Sequence, residues 1–201
     1  MNKERLKTGL EMMGVAADET ALDRFEAFHA ILDEYNARMD LTAVLDEDER
    51  VDRHDLDSAA PLVHGLLAQG AKVIDVGTGA GFPGMPLLIL RPDLQITFLD
   101  ALNKRILFLE DALKRLGLTA ATLHARAEDA AKMAAHREQY DAAVSRAVAN
   151  AATLEELTLP FVKKGGVAIA WKGPGVADEL TAARRAAFLL GGTVRGTVDA
   201  P

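Results

Sequence analysis

At 201 residues the chain is long enough for one large domain that buries about 70% of its unfolded surface. It has no cysteine, which excludes a disulfide scaffold and any thiolate metal site, and its formal charge of −7 excludes docking to nucleic acid through diffuse basic surface. No apolar run of 18 residues occurs and no apolar leader follows Met1-Asn-Lys-Glu-Arg-Leu-Lys7, so a soluble, cytoplasmic, metal-free, monomeric protein that uses no membrane is expected.

In chain order, Leu22, Phe25, Phe28, Ile31, Leu32 and Tyr35 recur at three- and four-residue steps and predict an amphipathic helix, capped by Asp18 or Thr20. A polar turn spans Asn36 to Thr42, and a charged helical stretch runs from about Asp46 to Leu67. After Gly70 the pattern changes. Strands are expected at 72–76, 95–100, 120–125, 140–145, 165–171 and 192–198, with helices at 83–90, 102–116, 127–137, 151–161 and 176–190. Such alternation predicts an α/β fold, a mostly parallel sheet with helices on both faces. Residues 1–68 read as a helical extension packed on a core of residues 69–201, in one compact domain.

The segment Lys72-Val-Ile-Asp-Val-Gly-Thr-Gly-Ala-Gly-Phe-Pro-Gly84 is a buried strand running into a glycine turn and a helix start. Gly77, Gly79 and Gly81 mark where bare backbone meets a ligand. A dinucleotide site needs a small residue where Phe82 stands, so NAD is disfavoured. The acidic-x-Gly-x-Gly-x-Gly loop of S-adenosylmethionine enzymes fits, with Asp75 as its acidic member. Asp100 closes the next strand, 23 positions after Gly77, where a carboxylate takes the ribose hydroxyls. The third strand runs into Arg126-Ala-Glu128, the fourth into Ser145-Arg146 and the fifth into Trp171-Lys172-Gly173, all at the sheet end where ligands lie. His54, Asp57 and Ser58 belong to the helical part, and basic pairs such as Lys104 with Arg105 read mostly as solvated faces.

Absences narrow the chemistry. Methylating a pyrimidine at C5 commonly uses a cysteine nucleophile, and there is none. Methylating an exocyclic amine usually uses an Asp/Asn-Pro-Pro-aromatic loop after the fourth strand, which Val144-Ser-Arg-Ala147 does not resemble. Guanine N7 carries a free lone pair and no proton, so its methylation needs alignment rather than a base.

The segments Asp75 to Pro86, Leu99-Asp-Ala-Leu-Asn-Lys-Arg105, Arg126-Ala-Glu128, Ser145-Arg-Ala147 and Lys172-Gly173, preceded by Leu41-Thr42 and His54-x-x-Asp57-Ser58, resemble the bacterial small-subunit ribosomal RNA methyltransferase G family, also called glucose-inhibited division protein B. The resemblance covers about residues 20–195. It implies a class I, Rossmann-like methyltransferase that uses S-adenosyl-L-methionine to modify N7 of one guanine in 16S rRNA near the decoding region, in the small subunit or an assembly intermediate. Carried over by position, Gly77 and Phe82 border the methionine and adenosine, Ala127 and Glu128 lie along the adenine, and Arg146 reaches into the site. His54, Asp57, Arg105 and Lys172 are candidates to hold the RNA. Ser145 and Arg146 are the catalytic candidates, with no general base required. The chain departs from the family pattern at Asp40-Leu-Thr42, where Asn-Leu-Thr is usual. It also stops at Val198-Asp-Ala-Pro201 without the family's final apolar strand, so either the sequence is truncated or the sheet ends one strand early, and an unpaired edge strand is expected in the residues given. Two other readings stay open: a methyltransferase of a small molecule or protein, and a non-catalytic nucleotide-binding module.

Overall fold

The computed structural model describes residues 1–146, 150–173 and 175–199; Ala147, the last residue of one matching motif, and Ala200 and Pro201 lie outside these. Helix α1 (Lys3–Met12) begins where Asn2 Oδ1 accepts the Arg5 amide at 3.1 Å, and it buries Leu6 and Leu10. Helix α2 (Glu19–Met39) begins where Asp18 Oδ1 accepts the Ala21 amide at 2.8 Å, so Asp18 rather than Thr20 satisfies the first-turn donors. Its stripe of Leu22, Phe25, Phe28, Ile31 and Leu32 is buried, and Tyr35 donates to Asp111 Oδ2 at 3.2 Å. The helix stops at Asp40, which adopts a left-handed conformation (φ 50°) that Asp and Asn tolerate best among residues with side chains.

The helical stretch expected over 46–67 is broken into α3 (Glu47–Arg50), a π-helical segment (Val51–Leu56) and α4 (Ala60–Val63). The wider π turn shifts the faces: Val51 and Asp55 enter the core, and His54 is left partly buried. Arg5 ties this segment to α1 through a two-pronged pair with Asp52, at 2.8 and 2.5 Å.

Five parallel strands follow, β1 (Lys72–Val76), β2 (Gln95–Asp100), β3 (Ala121–His124), β4 (Tyr140–Arg146) and β5 (Val162–Trp171), in the order β3-β2-β1-β4-β5. Their alternating side chains feed two cores. Val73, Phe98, Ala142 and Val144 pack with α2, α5 (Gly84–Leu90) and α6 (Asn103–Leu116). Ile74, Val76, Leu99 and Ala143 pack on the other face with Ala130 of α7 (Ala127–Ala130), Leu157 of α8 (Ala151–Thr158) and Phe161. Phe25, Phe28, Phe98 and Phe108 are fully buried, and burying one such ring stabilises by about 1.5–3 kcal/mol. Helix α9 (Val176–Leu189) packs on α8.

Four expectations are corrected. The helix predicted over 127–137 is only four residues long, because bonds of the three-residue type (Lys132 N to Asp129 O, Met133 N to Ala130 O) tighten the chain into turns that deliver Glu138 to the Pro160 carbonyl. The helix over 151–161 ends at Thr158, since Pro160 has no amide hydrogen to continue it. Strand β5 starts earlier than 165 and bulges against β4 around Gly165, whose φ is 83°. No strand forms over 192–198: Gly192 turns back to the Ala187 carbonyl at 2.7 Å, and Asp199 lies against His64 instead of beside β5. Among the described residues β5 therefore has one neighbour, β4.

The fold is α/β and Rossmann-like. Helices α5 and α6 lie on one face and α7 and α8 on the other, so the strand order reverses between β1 and β4 and opens a crevice above the carboxyl ends there.

Candidate functional site

A cavity of about 460 Å³ occupies that crevice. The loop after β1 forms its base through Gly77, Thr78, Gly79, Ala80 and Phe82. Asp100, Ala101, Leu102 and Arg105, at the end of β2 and the start of α6, make one wall. A second wall joins distant parts of the chain: Leu41, Thr42 and His54 from the N-terminal segment with Arg146 at the end of β4.

Gly77 and Gly79 have φ of 71° and 58°. A Cβ on Gly79 would meet only the Gly77 carbonyl, at 3.9 Å, so it would stand in the cavity and take the room of a ligand. Gly84 is bare for a different reason. A Cβ there would fall 2.5 Å from Phe98 and 2.6 Å from Asp75 Oδ2.

Asp75 is fully buried beneath the loop, where its Oδ2 accepts from Thr78 Oγ1 at 2.7 Å and from the Gly84 amide at 3.0 Å. It clamps the loop to the start of α5. Burial raises its pKa to about 6, against the pull of those two hydrogen bonds. Asp100 joins the neighbouring loops: Oδ2 accepts the Gly79 amide at 3.0 Å, Oδ1 accepts the Leu102 amide at 2.8 Å, and Arg105 Nη1 lies 3.3 Å away.

The second wall centres on Arg146. Its Nη1 donates to the Arg53 carbonyl at 2.7 Å and to Asp57 Oδ2 at 3.3 Å, its Nη2 donates to His54 Nδ1 at 2.8 Å, and the guanidinium lies 5.3 Å from the Phe82 ring centre. His54 also packs on Phe82, with centroids 4.5 Å apart and the rings tilted by 31°. Burial, and then the charge of Arg146, lowers the His54 pKa to about 4, so the ring is neutral at pH 7. Burial pushes the Asp57 carboxyl up while Arg146 pulls it down. Trp171 Nε1 donates to the Asp57 carbonyl at 2.9 Å, and Ser58 donates to the His54 carbonyl. Asn36 shapes the turn that supplies Thr42: its Oδ1 accepts the Leu41 and Thr42 amides at 2.6 and 2.9 Å, and its Nδ2 donates to the Thr42 carbonyl at 3.0 Å.

Of the residues expected from sequence, Gly77, Gly79, Phe82, Asp100, Arg105, His54 and Arg146 meet at the cavity, and Asp57 joins them through Arg146. The others stand apart from its lining. Gly81 faces the core, where a Cβ would come 2.9 Å from Leu109. Ser145 is buried and donates to the Val76 carbonyl at 2.8 Å, stitching β4 to β1. Ala127 and Glu128 begin α7 beyond β3, and Lys172 pairs with Glu179 at 2.8 Å. Thr78, Ala101 and Leu102 line the cavity without having been singled out. Behind His54, the buried His29 and Asp55 approach to 2.8 Å, a pair that no periodicity signals. Among the described residues no cluster of His, Cys, Asp and Glu suits a metal ion, and no helix is long and apolar enough to cross a membrane.

The model of the rRNA small subunit methyltransferase G family matches residues 21–199. Similar proteins carrying the name ribosomal RNA small subunit methyltransferase G include one from Clostridium beijerinckii, 43% identical across 92% of this chain and 77% of the relative, and one from Clostridium novyi, 41% identical across 96% and 82%. Among solved structures, the cyclase SpnF superposes with a TM-score of 0.55 at 16% identity, over 86% of this chain and 73% of that one. A protein-L-isoaspartate O-methyltransferase structure from Plasmodium falciparum, in complex with S-adenosyl-L-homocysteine, superposes with a TM-score of 0.51 at 15% identity, over 86% and 85%. At these identities the two structures support the fold alone.

Proposed function

The chain belongs to the rRNA small subunit methyltransferase G family, and from that membership we propose that it transfers a methyl group from S-adenosyl-L-methionine to N7 of one guanine in 16S rRNA near the decoding region. The observation that carries this reading is the shared cavity: bare glycine backbone, the Asp100 carboxylate and the Arg146 cluster open into one space. When bound, the cofactor supplies a methyl carbon on a sulfonium; the N7 lone pair forms the new bond, the carbon–sulfur bond breaks, and its electron pair goes to sulfur. No proton is removed, so the chain's task is alignment, worth up to about 7–11 kcal/mol of the barrier.

Gly77 and Gly79 let the backbone approach the methionine half, and Gly81 lets the loop close on α6. Phe82 supplies the apolar surface beneath it. Asp100, already held in place by two backbone amides and Arg105, turns the lone pair left on Oδ1 to a ribose hydroxyl. Ala127 and Glu128 follow β3, the strand beside β2, which suits the adenine edge. Arg146 spends much of its hydrogen-bonding capacity on the Arg53 carbonyl, Asp57 and His54, which fixes its charge where it meets the methionine carboxylate rather than the sulfonium. Ser145 acts by holding β4 to β1. Arg105, at the start of α6, and Lys172, after β5, serve RNA phosphate, while His54 and Asp57 shape the wall facing the base. In this reading residues 1–68 complete the site built by the core of residues 69–201, and the protein works as a cytoplasmic monomer.

A chain of formal charge −7 docks through few phosphates, so the shape of folded RNA with its proteins matters. Labelled-methyl incorporation is expected to be much faster on assembled or partly assembled small subunits than on naked 16S rRNA, with a shallow salt slope and the label mapped by cleavage at N7-methylguanine. Equal rates on naked RNA, or a slope implying about eight or more contacts, would remove the docking argument; label on no guanine would remove the activity.

A further inference from the structure

We propose that Thr42 is a specificity-determining residue whose hydroxyl hydrogen is given to O6 of the target guanine, leaving N7 free to react. The inference rests on the function proposed above and deepens it. A guanidinium only donates, so the Arg146 Nη2 contact at 2.8 Å obliges His54 Nδ1 to be an acceptor. The proton of the neutral imidazole then sits on Nε2, which lies 2.9 Å from Thr42 Oγ1 and donates to it. A second donor, the Val44 amide, reaches the same oxygen at 3.1 Å. Both acceptor positions of Thr42 are filled, so its own hydrogen points elsewhere, and it donates to no other described residue. Thr42 lines the cavity, and the Asn36 bonds to its amide and carbonyl fix where that donor stands.

The chain of bonds from Arg146 through His54 therefore makes Thr42 a donor rather than an ambivalent hydroxyl. That distinction separates the purines. Beside N7, guanine presents the O6 acceptor and adenine presents an amino donor, so Thr42 bonds the first and opposes the second. The place of Thr42 agrees with this role: the glycine loop, Asp100 and Arg146 serve the cofactor, while Thr42 and His54 line the same cavity and are left for the acceptor base.

The test uses the full chain and small subunits reconstituted with either guanine or 2-aminopurine at the position mapped on the wild-type product; 2-aminopurine keeps N7 and lacks O6. Thr42→Val is expected to lower kcat/KM on guanine by about 10- to 100-fold, with S-adenosylmethionine affinity within about twofold of wild type, and Thr42→Ser to restore it to within about threefold. On 2-aminopurine the wild type and Thr42→Val should differ by less than about twofold. The same fold loss on both bases, no loss on guanine, or a matching loss of cofactor affinity would overturn the assignment. A wild-type product methylated elsewhere than guanine N7 would instead overturn the proposed function, and the mapping step shows this before any variant is made.

Discussion

Two buried groups of the site titrate in opposite senses, and separating them tests the geometry quantitatively. Burial raises the Asp75 carboxyl from 3.8 to about 6, so the folded state holds its proton more tightly than the unfolded chain does. That stabilisation is complete below about pH 3.8 and is lost as pH rises through 6, a change of about 3 kcal/mol at about 1.4 kcal/mol per unit. His54 behaves inversely. Burial and Arg146 lower its ring from 6.5 to about 4, so its stabilisation is complete above about pH 6.5 and is lost as pH falls through 4. The same arithmetic gives about 3 kcal/mol, and somewhat less because the ring is only half-buried. In the wild type the two slopes offset one another. Relative to wild type, Asp75→Asn should gain stability by about 3 kcal/mol between pH 4 and 7, and His54→Asn should lose about 2–3 kcal/mol over the same range. Urea unfolding of the three proteins at half-unit pH steps reads the differences, from which all other titrating groups cancel. Differences that stay flat within about 0.5 kcal/mol, or that share one sign, would refute the burial argument.

Arg146→Lys keeps a charge beside Asp57 but cannot span the Arg53 carbonyl, Asp57 and His54 together, so single-turnover methyl transfer should fall at least about tenfold; a rate within about threefold, roughly 0.7 kcal/mol, removes Arg146 from the reacting geometry. Asp100→Ala should weaken S-adenosylmethionine binding by on the order of 1–3 kcal/mol in calorimetry, and Asp100→Asn by less because it still accepts one of the Gly79 and Leu102 amides. An unchanged Kd in folded Asp100→Ala ends that assignment. Gly84→Ala drives a methyl against Phe98 and Asp75 and should cost about 1–3 kcal/mol, visible as a lower Tm; an unchanged melt means the loop moves aside freely.

Local signals were enough for the centre of the sheet. The β-branched run of β1, the glycine spacing and the carboxylate closing β2 are each written within a few consecutive residues, and they place one half of the cavity. The other half depends on distant contacts. Thr42, His54 and Arg146 meet although about ninety positions separate the last two, and neither period nor propensity encodes such a meeting. The π turn over Val51–Leu56 was illegible for a related reason: its charged pattern reads as ordinary helix, and distant contacts, among them the buried pairing of Asp55 with His29, accompany the wider turn. Over 192–198 the alternation suits a strand, but strand structure needs a hydrogen-bonded neighbour, and the turn at Gly191 and Gly192 carries the chain elsewhere. Asn36 was the signal left unused, since an Asn at the foot of a turn commonly bonds the amides that follow it.

The bonds from Arg146 to Arg53, His54 and Asp57, and from Trp171 to Asp57, span 89 to 114 residues. Synthesis runs from the amino terminus, so Thr42, His54 and Asp57 emerge first and wait for partners made much later. Until Arg146 and then Trp171 have left the ribosome, a growing chain has the glycine loop but no finished second wall. A protein whose proposed substrate is part of the ribosome thus becomes competent only after Trp171 has been translated.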